Sequence, residues 1–185
     1  MARSFAIFAV VLVAPAAADP TLSENDRPSE LGLTLGGELG GRSTAGGMAI
    51  AGIWTEHLVG RVWFDSQARF TFGSRRAACG DDMCANGVAR GYATELGGAV
   101  RIFSVDSKRW MRTGVAGRMT EFRTDDIVGY SLLVRFDIGY RFRGDKNSQY
   151  DLSAGLFGGP GWFSGGLRSE PQFGGGIAGT ISFDL

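Results

Sequence analysis

The residues best suited to chemistry in this chain are charged ones set among small neighbours. They are Glu38, Arg61, Asp65, Arg69, Glu95, Arg101, Arg112, Arg118, Arg135 and Asp137. Within each run the separations are even, as in Arg61, Asp65 and Arg69, or Glu95 and Arg101. In an extended chain, even separation puts side chains on one face. Carboxylates and guanidiniums gathered on a common face have two uses. They can relay ions or protons, or they can pair into a structural network. An unpaired buried charge is costly while a paired one persists, so pairing is the expected use. Arg135 and Arg118 are expected to meet Glu95, Glu38 or Asp65.

Two further groups carry reactive atoms. Cys79 and Cys84 lie in RRAACGDDMCANG. Their short separation, with Gly80 between, suits a local loop-closing disulfide. A metal site drawing on Asp81 and Asp82 is the rival, and an oxidising compartment favours the bridge. The chain has 1 histidine, His57, in IWTEHLVG beside Glu56. No G-x-S-x-G elbow and no zinc-type histidine cluster accompany it. The glycine runs do not precede a helix, so they are not phosphate loops. No catalytic, cofactor-binding or metal-binding residue is assigned.

The elements that must position these charges are strands. Val128 to Phe142 reads VGYSLLVRFDIGYRF. Its even positions are all apolar or aromatic; its odd positions are small, polar or charged, except Leu133. A period of two is a β-strand, and this one is far longer than the usual 5–6 residues or so. Similar alternation covers Leu31–Gly40, Leu58–Gly73, Val88–Phe103, Trp110–Phe122, Tyr150–Trp162 and Phe173–Leu185. Met48–Thr55 alternates less cleanly, and Glu56-His57 is expected in a tight connection. These make eight strands joined by connections too short for a crossover helix, so the sheet is expected to be antiparallel hairpins closing into a barrel.

Two orientations of such a barrel are possible. Three features favour an apolar face turned outward to lipid. The polar face mixes charge with Gly and Ala, which suits a narrow lumen. The apolar faces would overfill a small interior. Tyr130, Tyr140, Phe142, Tyr150, Trp162, Phe173 and Phe183 lie near strand ends, where membrane barrels carry aromatic girdles. A closed barrel also satisfies every backbone group inside hydrocarbon. The expected fold is therefore all-β, an eight-stranded antiparallel up-and-down transmembrane β-barrel. Narrow or pore-like, its lumen is expected to be plugged, since about eight strands leave room only for side chains.

Composition agrees. The chain has 185 residues with 30 Gly, and 19 Lys+Arg balance 19 Asp+Glu. There is no basic patch for nucleic acid. Residues 1–18 have the form of a cleaved signal peptide: Arg3, an apolar run Phe5–Val13, and Ala16-Ala17-Ala18. That run is too short for a membrane helix of about 20 residues. Residues 19–30 form a polar lead, and 31–185 the barrel. An even strand count puts both termini and the short turns in the periplasm and the longer loops outside.

On these features the chain resembles the small eight-stranded outer-membrane proteins, similar to the OmpA transmembrane domain and OmpX. The resemblance covers Leu31 to Leu185. Its most specific motif is the last strand, GIAGTISFDL, although the final residue is Leu185 where the family favours an aromatic, with Phe183 two before it. The resemblance implies a Gram-negative outer-membrane location, outer-membrane lipid around the wall, and insertion by the barrel-assembly machinery. It implies a monomer with loops available to a surface ligand. Some such barrels trim or acylate lipid A with His, Ser and an acid near the outer leaflet. The topology puts His57 in the first periplasmic turn, on the wrong side for that substrate. The expected role is non-enzymatic, in envelope integrity or surface interaction. The alternatives are a lipid-A-modifying enzyme, a narrow pore, and a soluble periplasmic barrel with an apolar ligand.

Overall fold

The computed structural model describes residues 29–40, 46–76, 88–105, 108–122, 127–143, 148–164 and 169–185. They form eight strands: β1 (Ser29–Gly40), β2 (Gly46–Val59), β3 (Val62–Arg76), β4 (Val88–Phe103), β5 (Arg109–Phe122), β6 (Ile127–Arg143), β7 (Ser148–Phe163) and β8 (Glu170–Asp184). Each pairs antiparallel with its sequence neighbour, and β1 pairs with β8 to close the barrel. The closing ladder runs from Glu30↔Asp184 to Gly40↔Gly174. Closure leaves no open sheet edge, which is the condition for a sheet to cross hydrocarbon.

The alternation sorts side chains as the two-residue period requires. On β6, Leu132, Val134, Phe136 and Ile138 are 54%, 56%, 47% and 55% exposed. Between them Leu133, Arg135 and Asp137 are 0%, 6% and 7% exposed. The same inversion holds on β1, where Leu31, Leu33, Leu35 and Leu39 are exposed while Thr34 and Glu38 are buried. The apolar surface is thus outside and the charged surface inside. An exposed apolar band around the whole wall far exceeds the patches that water-soluble monomers show. Hydrocarbon is the medium that matches it.

Aromatic side chains frame this band. At the end where the termini and short turns lie, Tyr140 and Phe142 meet edge to face at 4.8 Å. Tyr150 and Phe183 are exposed there too. At the opposite, loop end, Tyr130 lies directly across from Trp162 on the outer face, and both are exposed. Phe70 stacks on Tyr92 at 5.7 Å, and the Tyr92 hydroxyl donates to Glu121 Oε2 across β4 and β5. This bond gives a carboxylate on the outer wall a donor.

Strand boundaries differ from those the sequence suggests at two places that bear on the lumen. β2 continues through Glu56 and His57 to Val59. The turn is Gly60-Arg61, closed by Val59↔Val62 after a register shift between His57 and Val59. Gly60 has φ 58, the left-handed conformation that a two-residue hairpin turn needs in its first central position. Apolar Leu58 and Val59 mask this turn in the sequence. At the N-terminal side, Ser29 and Glu30 belong to β1 rather than to a lead. The signal segment 1–18, most of the lead and the Cys79–Cys84 loop lie outside the described residues.

Candidate functional site: the charged lumen

The lumen charges whose pairs are described come from β1 and from β3 to β7, and register sets which of them meet. Two tiers result. In the tier nearer the loop end, Arg69, Glu95 and Arg118 form one row across β3, β4 and β5. Arg118 Nε donates to Glu95 Oε2 at 3.0 Å and its Nη2 to Glu38 Oε2 at 2.7 Å. Arg135 Nε donates to Glu95 Oε1 at 2.5 Å and its Nη2 to Glu38 Oε1 at 2.9 Å. Arg69 Nη1 reaches Glu38 Oε1 at 2.5 Å. Glu38, on β1, thus collects three guanidiniums from β3, β5 and β6 and ties one wall to the other.

The second tier lies nearer the termini. Arg101 donates to Asp65 Oδ2 from Nη2 at 2.6 Å and from Nε at 2.9 Å. Arg112 donates to Asp137 Oδ2 from Nη2 at 2.8 Å and to Asp65 Oδ2 from Nη1 at 3.3 Å. Arg101 also reaches Asp151 Oδ2 at 3.5 Å. Arg141 forms a fork with Glu30, at 2.8 and 2.9 Å, and bonds Asp151 Oδ1 at 2.9 Å. Bidentate guanidinium–carboxylate geometry is the strong form of this contact.

The ion pairs of the described lumen draw on six guanidiniums, from Arg69, Arg101, Arg112, Arg118, Arg135 and Arg141. Six carboxylates face them, from Glu30, Glu38, Asp65, Glu95, Asp137 and Asp151. The balance matters, because net charge in a low-dielectric interior would be expensive. The balance is not local. The tier near the loops has three guanidiniums and two carboxylates. The tier near the termini has three guanidiniums and four carboxylates.

Aromatic rings wedge the guanidinium planes. Phe157 lies 4.8 Å from Arg118 and 4.6 Å from Arg135. Trp110 lies 4.8 Å from Arg101 and 5.7 Å from Arg112, and Phe103 lies 4.7 Å from Arg141. Such contacts add cation–π attraction and fill space. Room for the rings comes from glycine. A Cβ on Gly139 would collide with the Trp110 ring, and one on Gly129 with the Phe163 ring. A Cβ on Gly155 would strike Asp137 Oδ1.

Of the residues singled out from the sequence, the structure brings Glu38, Asp65, Arg69, Glu95, Arg101, Arg112, Arg118, Arg135 and Asp137 into these tiers. Arg61 does not join them. It is exposed in the Gly60-Arg61 turn, where strand parity no longer decides direction. Asp65, weighed as a partner for Arg135 and Arg118, pairs with Arg101 and Arg112 instead. Glu30, Arg141 and Asp151 were missed. A polar lead extended through residue 30 conceals Glu30, which belongs to β1. Arg141 and Asp151 sit on the polar parity of their strands and face each other in register, a signal that parity carries.

His57 lies in β2 at the turn end, and its Nε2 is 3.0 Å from the Gly60 carbonyl oxygen. Its ring packs on Trp63 at 4.9 Å. No described carboxylate orients it. Among the described residues no group of three or more His, Cys, Asp or Glu could hold a metal ion.

No family model matches the chain, and no curated protein does. Solved structures do. The crystal structure of Neisserial surface protein A matches with a TM-score of 0.60, covering 85% of this chain and 97% of that one at 10% sequence identity. At that identity the likeness is one of fold. With its closed ladder, charged lumen and apolar exterior, the chain has the architecture of an eight-stranded transmembrane β-barrel.

Proposed function

We propose that the protein is a non-enzymatic, integral outer-membrane barrel that serves the envelope as a closed structural element, with its loops directed outward for surface contact. The observation that carries this reading is the lumen: six guanidiniums and six carboxylates pair across it from wall to wall. A conducting pore would keep water along its axis, whereas here charge pairs and wedged rings occupy that axis. A lipid-modifying enzyme would carry an acid–base pair near the outer leaflet. The one histidine lies instead at the opposite end, against Trp63 and Gly60. In this account the barrel-assembly machinery inserts the chain, outer-membrane lipid covers the wall, and the barrel is monomeric.

Deletion of the gene tests this reading. The expected result is increased sensitivity to detergent and large antibiotics, restored by the wild-type gene, with lipid A mass unchanged. A change in lipid A mass that the wild-type gene reverses would replace the structural reading with an enzymatic one.

A further inference from the structure

Pro160 stands inside a sheet that has no edge. It lies in the loop-end half of β7, exposed on the outer wall, with β6 on one side and β8 on the other. A proline carries no N–H, so within sheets it is confined to edge strands, strand starts and bulges. Pro160 is at none of these. The β6–β7 register runs from Ser131↔Gly161 to Val134↔Gly158 without a shift, and only Leu132 and Leu133 go unpaired with β7 between them. The missing bond can be assigned. The Ser164 N–H donates to the Val128 carbonyl, and in an antiparallel ladder such bonded pairs recur at every second residue. Tyr130 with Trp162 and Leu132 with Pro160 are the next two. The Leu132 carbonyl therefore lacks the ladder donor that any residue but proline would supply.

The place of this gap gives it a meaning. Tyr130 and Trp162 form the aromatic frame at the loop end, so Leu132 and Pro160 lie one bonded pair further into the apolar band. An unmatched backbone group is costly in hydrocarbon. Gly158, Gly159 and Gly161 surround the proline, and glycine weakens a strand interior. Behind the gap the lumen changes character. Leu133, Phe157 and Phe163 are turned inward and are 0%, 5% and 9% exposed. Leu133 is the apolar exception on the inner face of β6, and it stands at the two unpaired positions. An interrupted ladder and an apolar inner lining thus coincide at one point of the wall.

We propose that this stretch of the β6–β7 seam is a lateral gate that parts locally and admits one lipid acyl chain from the loop-side leaflet to Leu133, Phe157 and Phe163. It rests on the reading that lipid covers the wall. At the depth of Pro160 the medium outside is then hydrocarbon, so acyl chains, and neither headgroups nor aqueous solutes, meet the opening. The gate is shut at rest: Gly159 packs so near β6 that a Cβ on it would collide with the Leu132 carbonyl oxygen. It lies on the loop side of Arg135, so the charge pairs nearer the termini keep the axis closed when it parts.

Phosphatidylcholine carrying a diazirine within one acyl chain is the probe. The barrel is refolded into vesicles of this lipid and irradiated, and the adducts are mapped to residues by mass spectrometry. Adducts are expected on outward Leu132 and Leu156 and also on inward Leu133 and Phe157. Pro160→Ala supplies the missing N–H and should reduce the inward adducts about tenfold, the scale of one backbone hydrogen bond, while the outward ones stay unchanged. Amide hydrogen exchange gives a second readout: the Leu132 and Trp162 N–H groups should exchange about tenfold faster in the wild type than in Pro160→Ala. Folding of the variant is checked by its heat-dependent gel mobility. Outward adducts alone in the wild type, inward adducts undiminished in Pro160→Ala, or equal exchange in the two proteins would overturn the gate and leave the lipid-facing wall standing. Absence of adducts on Leu132 and Leu156 would overturn the lipid-facing wall, and the gate with it.

Discussion

Arg101 and Arg112 stand directly opposite each other on β4 and β5. Like charges in that position repel and destabilise a strand pair. The arrangement holds because Asp65 Oδ2 accepts from both, at 2.6 Å from Arg101 and 3.3 Å from Arg112, and Asp137 takes Arg112 from the other side. The Trp110 ring fits beside both guanidiniums. Asp65 is therefore the residue on which this tier depends.

Asp65→Asn should cost about 3–5 kcal/mol, the range for removing one partner of a buried pair and leaving charge uncompensated. Urea unfolding of the barrel in detergent or lipid measures it. The double variant Asp65→Asn, Arg101→Met should lose less than the single one, since it removes one of the stranded guanidiniums. A double variant weaker than the single by the full cost of Arg101→Met would show that the pair is not coupled.

Glycine positions should divide by which side of the wall they face. Gly139→Ala places a Cβ into the Trp110 ring, which must move and take its guanidinium contacts with it. A loss of about 1–3 kcal/mol is expected, as for overpacking elsewhere. Gly52 faces outward with nothing within 4 Å of a built Cβ, so Gly52→Ala should be neutral or slightly stabilising. Thermal unfolding midpoints of the two variants compare them directly.

The outer wall makes the opposite demand. Val134 and Phe136 lie midway along β6 and are 56% and 47% exposed. Val134→Arg should cost about 2–4 kcal/mol in a bilayer, the depth-dependent penalty for a charge at the midplane of a membrane barrel. Refolding yield into vesicles of matched thickness, with urea titration, gives the number. Indifference to this substitution would mean that the band faces water.

The fold was legible because a period of two survives any tertiary context. Alternation on β6 and β1 by itself separates Leu132 from Leu133 and Leu33 from Thr34. Its length exceeds what a soluble strand shows. Strand ends were less legible. The run through Leu58 and Val59 stays apolar across the end of β2, so only Gly60 marks the turn, and Arg61 inherits a parity that the turn cancels. Parity also places Arg141 and Asp151 on the inner face. Candidate partners were legible, with Glu95 and Glu38 among those expected for Arg135 and Arg118, but which of them pair depends on relative strand offsets. That Glu38 on β1 meets Arg118 on β5 and Arg135 on β6 follows from barrel closure and side-chain length across the lumen. Nothing local in the sequence encodes it.

The central claim is that paired charges close the lumen. Single-channel recording in planar bilayers tests it most directly, using the folded barrel at high salt. Exposed charges are screened there to about 3 Å, but buried pairs are screened far less. A flat baseline is expected for the wild type. Variants that remove two charges from one tier, such as Glu38→Ala with Glu95→Ala, should give brief, small openings. Steady, ohmic conductance from the wild-type barrel would contradict it.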